Sequence, residues 1–395
     1  MAKICMLAFT HYSNDSRVRR EAEALARRND HVECICLSEP SGASGAFARG
    51  VKLYGIPVRK YRGHSMLAYA LSYTTFFVFA SVLLTFLHVR KRYDIVQVHT
   101  MPDFLVFAAL IPRLFGAKII LDVHDLMPEL CMSKFGVGEG HLLVRFLRWM
   151  ERLSIRFAHR AIAVQIPHRD TLIRHGNPPE KFIILMNLPD PNIFCTETKP
   201  RRMPDGRFRL LYHGTIARRH GLETAIRALL LIKESIPNIE LLILGSGDDK
   251  DRLVQLVKDL SLDFYVRFSN GEVPLQSIPE YIGQADLCII PMLLDVFSRS
   301  TLPVKMLECV QLDIPVVSSR IESFLFYLDE SMVRYFEPGD EADLAKQVIA
   351  LHNAPGEMQL LAANAANFKS KYSWDREKKY HFDLVDSLSS KNGRP

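Results

Sequence analysis

Short β-rich apolar runs alternate with longer helical patterns along almost the whole chain, and this order limits the fold more than any other feature. KICMLAF, VECICL, VKLYGI, DIVQVH, KIILDVH and AIAVQ are separated by helical stretches such as SRVRREAEALARR and LLVRFLRWMERLSIRFA. A strand that needs a crossover helix before the next strand belongs to a parallel sheet covered on both faces. From Asn187 to Phe208 the alternation stops in a stretch rich in proline and charge, which reads as a linker. It resumes with RLLYHG, IELLILG, YVRFSN, ADLCIIPM, PVVSS and VRYFEP. At 395 residues the chain also exceeds what one core usually fills. The predicted class is therefore α/β, with two Rossmann-like domains in tandem over residues 1–190 and 205–373. The tail, residues 374–390, is helical in pattern and can pack on either domain.

The net charge of +6 is modest, but the basic residues cluster, as in RVRR at 17–20 and RKR at 90–92. Such clusters suit phosphates or an anionic surface, or simply a solvated helix face. No nucleic-acid-binding motif accompanies them, so no nucleic-acid partner is expected. The seven cysteines lack paired metal spacing and lie mostly in apolar runs, as small buried hydrophobes in a reducing compartment do. The N-terminus enters a strand-like run without a cleavage site, and a cytoplasmic location is expected. Residues 66–89 contain no Asp, Glu, Lys or Arg and are long enough to span a bilayer. Strand-like runs on both sides argue against spanning, because crossing would divide one sheet between two compartments. A buried layer helix and a helix at a lipid interface, with residues 66–92 touching the inner membrane face, both remain.

In open α/β sheets ligands bind at the carboxyl ends of the strands, so the residues following each strand are the candidates. TLPVKMLECV, 301–310, places Pro303 at a helix start, where its missing N–H costs nothing. The amides of Val304, Lys305 and Met306 then form an anion seat, Lys305 adds a full charge, and Glu308 one turn on can accept from sugar hydroxyls. An ordinary amphipathic helix with a solvated Lys and Glu is the plainer reading of the same pattern. HGTIARRHG, 213–221, brings Gly214, Thr215, Arg218, Arg219 and His220 to another strand end, either as a second arm of a pyrophosphate clamp or as an exposed basic turn. GSGDD, with Gly245 and Gly247, reads as a tight turn or as one wall of a nucleotide pocket. VQVHTMPD and LDVHDLMPE place His99 and His124 at matching strand ends, followed by Asp103, Asp125 and Glu129, where they can touch a sugar or a hydroxyl acceptor. THYSNDSRVRREAEAL offers Asp15, Arg17 and Arg20 to an acceptor carrying phosphate, although helix capping by Asn14 or Asp15 is the plainer account.

Taken together, DSRVRREAEAL, YDIVQVHTMPDFLVFAALIPRLFGAKIILDVHDLMPEL, YHGTIARRHGLETAIRAL and LPVKMLECVQLDIPVV resemble the family 4 glycosyltransferases of the GT-B fold, over nearly the whole chain. The combination looks like the subgroup of bacterial exopolysaccharide and O-antigen assembly. That resemblance implies two Rossmann-like domains facing across a cleft, a UDP- or GDP-sugar donor, a lipid-diphosphate-linked acceptor at the inner leaflet, no separate cofactor and no metal. By motif, Glu308 resembles the family glutamate that binds the nucleotide ribose. Val304 and Lys305 match the helix start that holds the distal phosphate, and His99 or His124 matches the histidine near the anomeric carbon. The tail helix at Trp374 is implied to cross back to the N-terminal domain. Two departures stand out. Ser300 occupies the place of the first signature glutamate, with Asp295 a substitute, and Thr215 and His220 stand in the clamp's Arg and Lys places, with Arg218 or Arg219 compensating.

The expected chemistry is metal-independent transfer with retention, in which cations and helix-start amides stabilise the leaving diphosphate. No His/Cys ligand set is apparent in the sequence. Two other functions fit the same residues: a nucleotide-sugar epimerase, which needs no acceptor, and a catalytically weak scaffold of a membrane polysaccharide complex.

Overall fold

The computed structural model describes residues 1–39, 47–59, 61, 65–195 and 205–389. Residues 196–204 of the predicted linker, together with Lys60 and Arg62 ahead of the apolar helix, lie outside these. The chain divides into two compact units, Met1–Asn187 with the chain from Asp375 onward, and Leu188–Trp374.

The first unit is built on eight strands: β1 (Lys3–His11), β2 (His31–Leu37), β3 (Phe47–Ala48), β4 (Val51–Ile56), β5 (Ile95–His99), β6 (Lys118–Val123), β7 (Arg160–Ala163) and β8 (Phe182–Ile184). Their order is β3-β4-β2-β1-β5-β6-β7-β8, parallel throughout except for the β3–β4 pair. The helices are α1 (Ser16–Arg27), α2 (Met66–Lys91), α3 (Leu110–Leu114), α4 (Met127–Phe135), α5 (Leu142–Phe157) and α6 (Ile166–Arg174). Continuous apolar runs such as Ile4–Phe9 are buried along their length, as strands covered on both faces require. Helix α1 starts where the Asp15 carboxylate accepts from the Val18 amide at 3.1 Å.

The second unit repeats the scheme with β9 (Phe208–His213), β10 (Ile239–Leu244), β11 (Val266–Phe268), β12 (Leu287–Ile290), β13 (Val316–Ser319) and β14 (Arg334–Phe336), in the all-parallel order β11-β10-β9-β12-β13-β14. Its helices are α7 (Leu222–Ser235), α8 (Lys250–Asp259), α9 (Ile278–Gly283), α10 (Val304–Gln311), α11 (Glu322–Leu325), α12 (Glu341–Asn353), α13 (Pro355–Asn364) and α14 (Ala366–Lys371). Cys288 of β12 and Cys309 of α10 are joined as a disulfide, which departs from the reading of the cysteines as mostly small buried hydrophobes in a reducing compartment. Their apolar surroundings hid a pairing that only the packing of α10 on β12 creates.

The final helix, α15 (Trp374–Ser389), belongs to the first unit. Arg28 of α1 reaches Asp386 at 3.0 Å and stacks over Phe382, His381 meets Gln97 at 2.8 Å, and Glu377 accepts from the Met186 amide at 2.8 Å. The bonds of His381 and Glu377 satisfy buried groups that would otherwise be left at a cost.

Helix α2 connects β4 to β5 of one sheet, so both of its ends lie on the same unit. Among the described residues it is the one helix long and apolar enough to cross a membrane. Phe76, Ala80, Leu84 and Leu87, at helical spacing, enter the core, while Leu71, Val78, Phe79, Val82, Phe86 and Val89 are exposed. It is a layer helix whose outer face is as apolar as its inner one. Truncating Leu84 to Ala is expected to cost about 2–5 kcal/mol in urea unfolding, whereas Val82→Ala stays within about 0.5 kcal/mol.

Candidate functional site

In the first unit the parallel register sets His99 on β5 directly opposite Asp122 on β6. The Asp122 carboxylate has no exposed surface, and three cationic or polar groups converge on it. His99 Nδ1 lies 2.9 Å from Oδ2 and His124 Nε2 3.2 Å from the same oxygen, while Arg17 binds Oδ1. Burial alone would raise the Asp122 pKa, but Arg17 and the two histidines hold it well below the usual carboxylate range. For His99, burial opposes the charged ring, and the Asp122 hydrogen bond and charge outweigh it, so its pKa is raised. The polar chain continues inward: Arg17 Nε donates to Glu21 at 3.2 Å, Gln97 to Glu21 at 2.7 Å, and Gln97 meets His381 of α15. His124 is the partly exposed member of the group, and its own amide donates to Thr100 Oγ1 at 2.9 Å.

Ala8, Phe9, Thr10, Asp15, Tyr73, His99, Thr100, Met101, His124 and Asp125 line a cavity of about 140 Å³ at these strand ends. The structure therefore brings His99, His124, Asp125 and Asp15 together as the sequence suggested. The other acceptor candidates are corrected. Arg17 and Arg20 are buried, Arg17 on Asp122 and Arg20 on Asn187 at 3.0 Å, so they hold the site's frame and do not face a ligand. Asp103 is buried too, and its pKa is pushed well above the carboxylate range by burial and by Glu151 and Asp125. Glu129 turns away from the cavity to pair with His175 at 3.1 Å. The sequence shows no metal spacing, yet folding places ligand atoms of His99, Asp122 and His124 within 4.8 Å of one another, a donor set of the kind that holds a cation. Arg17 competes with any cation for that carboxylate. Asp122 was missed by sequence reasoning, although a lone carboxylate inside the apolar strand KIILDV was a usable signal.

In the second unit the turn after β9 packs against the turn after β10, backbone on backbone. A Cβ on Gly245 would lie 1.9 Å from the Gly214 carbonyl oxygen, and one on Gly247 1.9 Å from that of Ile216. The GSG turn thus positions its neighbour, and its glycines are used for close approach. Gly214, with φ +115°, leaves room for the Lys305 side chain, which a Cβ there would meet at 3.2 Å. Lys305 Nζ donates to the Tyr212 hydroxyl at 2.7 Å and sits 4.2 Å from the centre of that ring, and Tyr212 in turn donates to the Thr215 carbonyl at 2.6 Å. Burial, helped by the nearby Arg219 charge and opposed by Glu308, brings the Lys305 pKa down to about 7.

Helix α10 begins at Val304, with Pro303 as its N-cap and not its first helical residue. Consequently the Met306 amide is already bonded to the Pro303 carbonyl at 3.0 Å, and the anion seat consists of the Val304 and Lys305 amides. Glu308 is buried, its Oε2 2.6 Å from His213 Nε2. His213 is a second residue that sequence reasoning missed, although it ends its strand as His99 ends β5. Of the basic turn, Arg218 is exposed and Arg219 lies over Phe297 at 5.6 Å. His220 has its pKa lowered well below the usual range by burial and by Lys305 and Arg219, so it does not replace the expected clamp lysine as a cation. Ser300 is buried in a short turn that Asp295 braces, its Oδ1 accepting from the Ser298 amide at 2.7 Å.

Residues 15–187 match the glycosyl transferase 4-like domain, and residues 207–354 match glycosyl transferases group 1. The chain is 27% identical over 218 residues to the amylovoran biosynthesis glycosyltransferase AmsK of Erwinia amylovora, covering 54% of this chain and 50% of that protein. It is 24% identical over 250 residues to the O-antigen biosynthesis glycosyltransferase WclY of Escherichia coli, covering 62% and 66%. The matches thus span half to two thirds of the length of these curated relatives. The fold resembles that of HepE from Anabaena, solved in complex with UDP and glucose, with a TM-score of 0.71, 15% identity and coverage of 99% of this chain and 100% of that one.

Replacing Asp122 with Asn is expected to lower stability by about 3 kcal/mol in urea unfolding at pH 7, because buried Arg17 keeps only Glu21 and His99 loses its carboxylate. The sign with pH follows from the depressed folded pKa of Asp122. Its contribution is present above the unfolded value of about 3.9 and is lost as pH falls through the folded pKa, so the gap between wild type and variant narrows only in strong acid.

Proposed function

Since the chain belongs to the family 4 glycosyltransferases of the GT-B fold, we propose that it moves a sugar from a UDP- or GDP-sugar onto a lipid-diphosphate-linked glycan in bacterial surface or exopolysaccharide assembly. The observation that carries this reading is Lys305, held by Tyr212 beside the Gly214 turn and next to two amides of α10 without an acceptor among the described residues. A cation and two N–H groups at one helix start match a phosphate, and Glu308 one turn along matches a ribose. The relatives' names, amylovoran and O-antigen biosynthesis, agree with a glycan product.

Transfer proceeds with retention and without a metal. The leaving diphosphate is stabilised by Lys305, Arg219 and the α10 amides, which are oriented before the bond breaks. Arg218 serves the same charge from solvent, and Gly214, Thr215, Gly245 and Gly247 shape the turn that admits it. In the first unit, the cavity lined by His99, His124, Asp125 and Asp15 takes the acceptor hydroxyl, whose proton passes on transfer to the departing phosphate. Localisation is cytoplasmic and peripheral on the inner membrane face, through the exposed apolar side of α2 and the exposed basic residues Arg90 and Arg92 at its end, Lys91 between them being paired with Glu33.

Three measurements test this. In a thermal-shift panel of UDP, GDP, ADP and CMP, one nucleoside diphosphate is expected to raise Tm, and Lys305→Met to abolish that rise; no response to any nucleotide would remove the reading. The proton balance is a second check. The folded Lys305 pKa of about 7 lies below that of a free lysine, so unliganded Lys305 is mostly neutral at pH 8 and a bound diphosphate recharges it. Calorimetry in buffers of different ionisation enthalpy should show uptake of about one proton per diphosphate at pH 8 and little at pH 6. Finally, product formation should persist in a chelator, and the anomeric configuration of the product, read by NMR, should match the donor's.

A further inference from the structure

Helix α5 carries a second surface suited to phosphate, on a face that the transfer chemistry does not use. Its sequence LLVRFLRWMERLSIRF buries Val144, Glu151, Ser154 and Ile155 on one side. On another, Leu142, Phe146 and Trp149 follow at helical spacing and are 77%, 50% and 48% exposed. Phe146 and Trp149 touch, with ring centres 5.8 Å apart. Arg145, Arg148 and Arg152 form the neighbouring row, and with Arg174 and His175 at the end of α6 they line an open groove of about 660 Å³.

The acidic groups beneath this groove are already engaged. Glu129 and Glu151 each meet His175 at 3.1 Å, and Arg148 reaches Glu139 at 3.2 Å and Glu129 at 3.8 Å. Arg145, Arg152 and Arg174 have no carboxylate partner among the described residues, and Arg174 meets only the Thr171 hydroxyl at 2.6 Å. Three uncompensated guanidinium groups thus stand beside an exposed Leu–Phe–Trp row. A free phosphate would satisfy the guanidinium groups and leave the rings in water. A neutral apolar partner would do the reverse. A phosphate attached to acyl chains satisfies both, since Arg binds phosphate oxygens in pairs and Trp favours the boundary between head group and hydrocarbon.

The setting in the fold agrees. α5 and α2 flank the same Asp103–Ala109 turn, through Phe157 on Phe107 at 5.2 Å and Phe77 on Phe104 at 5.7 Å. We propose that the groove between α5 and the end of α6 binds the phosphate head group of an anionic phospholipid, with Arg145, Arg152 and Arg174 on the phosphate and Phe146 and Trp149 in the interface. The site is separate from the α2 contact and independent of which donor the protein uses.

Trp149 and the buried Trp374 are the two tryptophans of the chain, so Trp149 reports on this groove directly. The full-length Trp374→Phe variant, checked for a cooperative melt, is titrated with phosphatidylcholine vesicles, with the same vesicles containing phosphatidylglycerol, with inorganic phosphate and with a single-stranded oligonucleotide. The expected result is a blue shift of Trp149 emission with the anionic vesicles alone. Arg145→Gln with Arg152→Gln should weaken vesicle partitioning about 30-fold, about fivefold per charge at the surface. Phe79→Ser on α2 tests the other membrane contact without changing charge, and its effect should be the same on neutral and anionic vesicles. The proposal is overturned by Trp149 emission indifferent to phosphatidylglycerol, by partitioning unchanged in the double arginine variant, by an equal shift with inorganic phosphate, or by a shift with the oligonucleotide alone.

Discussion

Strands that run in one direction bring every crossover to the same edge of a sheet, and both units depend on this constraint. Only β3 runs against its neighbours. His99, His124 and the cavity they line therefore share one edge of the first sheet, while Gly214, Gly245 and the start of α10 share one edge of the second. In each sheet the order turns back at its first strand, with β1 between β2 and β5 and β9 between β10 and β12. At that point adjacent loops leave in opposite directions and open a crevice.

The two units treat buried charge in opposite ways. In the first, Asp122 is saturated by Arg17, His99 and His124, and the polar chain runs on through Glu21 and Gln97 to His381 of the last helix. Such a network fixes side-chain positions and leaves one member, His124, at the surface of the cavity. In the second, Lys305 meets a phenol and a ring face but, among the described residues, no carboxylate at bonding distance. A cation kept short of counter-charge is ready for an anion to supply it, whereas a cation already paired has to break that bond first.

Two helices show where reading from composition stops. The stretch over α2 is apolar all round, so periodicity could not distinguish a core helix from one at a lipid surface. The distinction came from β4 and β5 lying in one sheet, which ties both helix ends to the same unit and leaves one face outward. Helix α5 was recognised as a helix, but its arginines look like any solvated face until Glu129 and Glu151 are seen to be engaged by His175. Buried arginines misled in the other direction. RVRR at 17–20 reads as a basic cluster open to phosphate, and the pattern carries no sign that Arg17 points inward to a carboxylate more than a hundred positions away.

The sequence by itself determined the two α/β units, the strand ends at which chemistry collects, and the residue types placed there, because local patterning and strand order depend on neighbours along the chain. Tertiary structure alone decided which charges are spent and which remain: Asp122 with Arg17, Glu308 with His213, Cys288 with Cys309, and Lys305 beside Tyr212. Those pairings form between segments distant in sequence, and a side chain's charge and reach acquire a role only when packing fixes what stands opposite it.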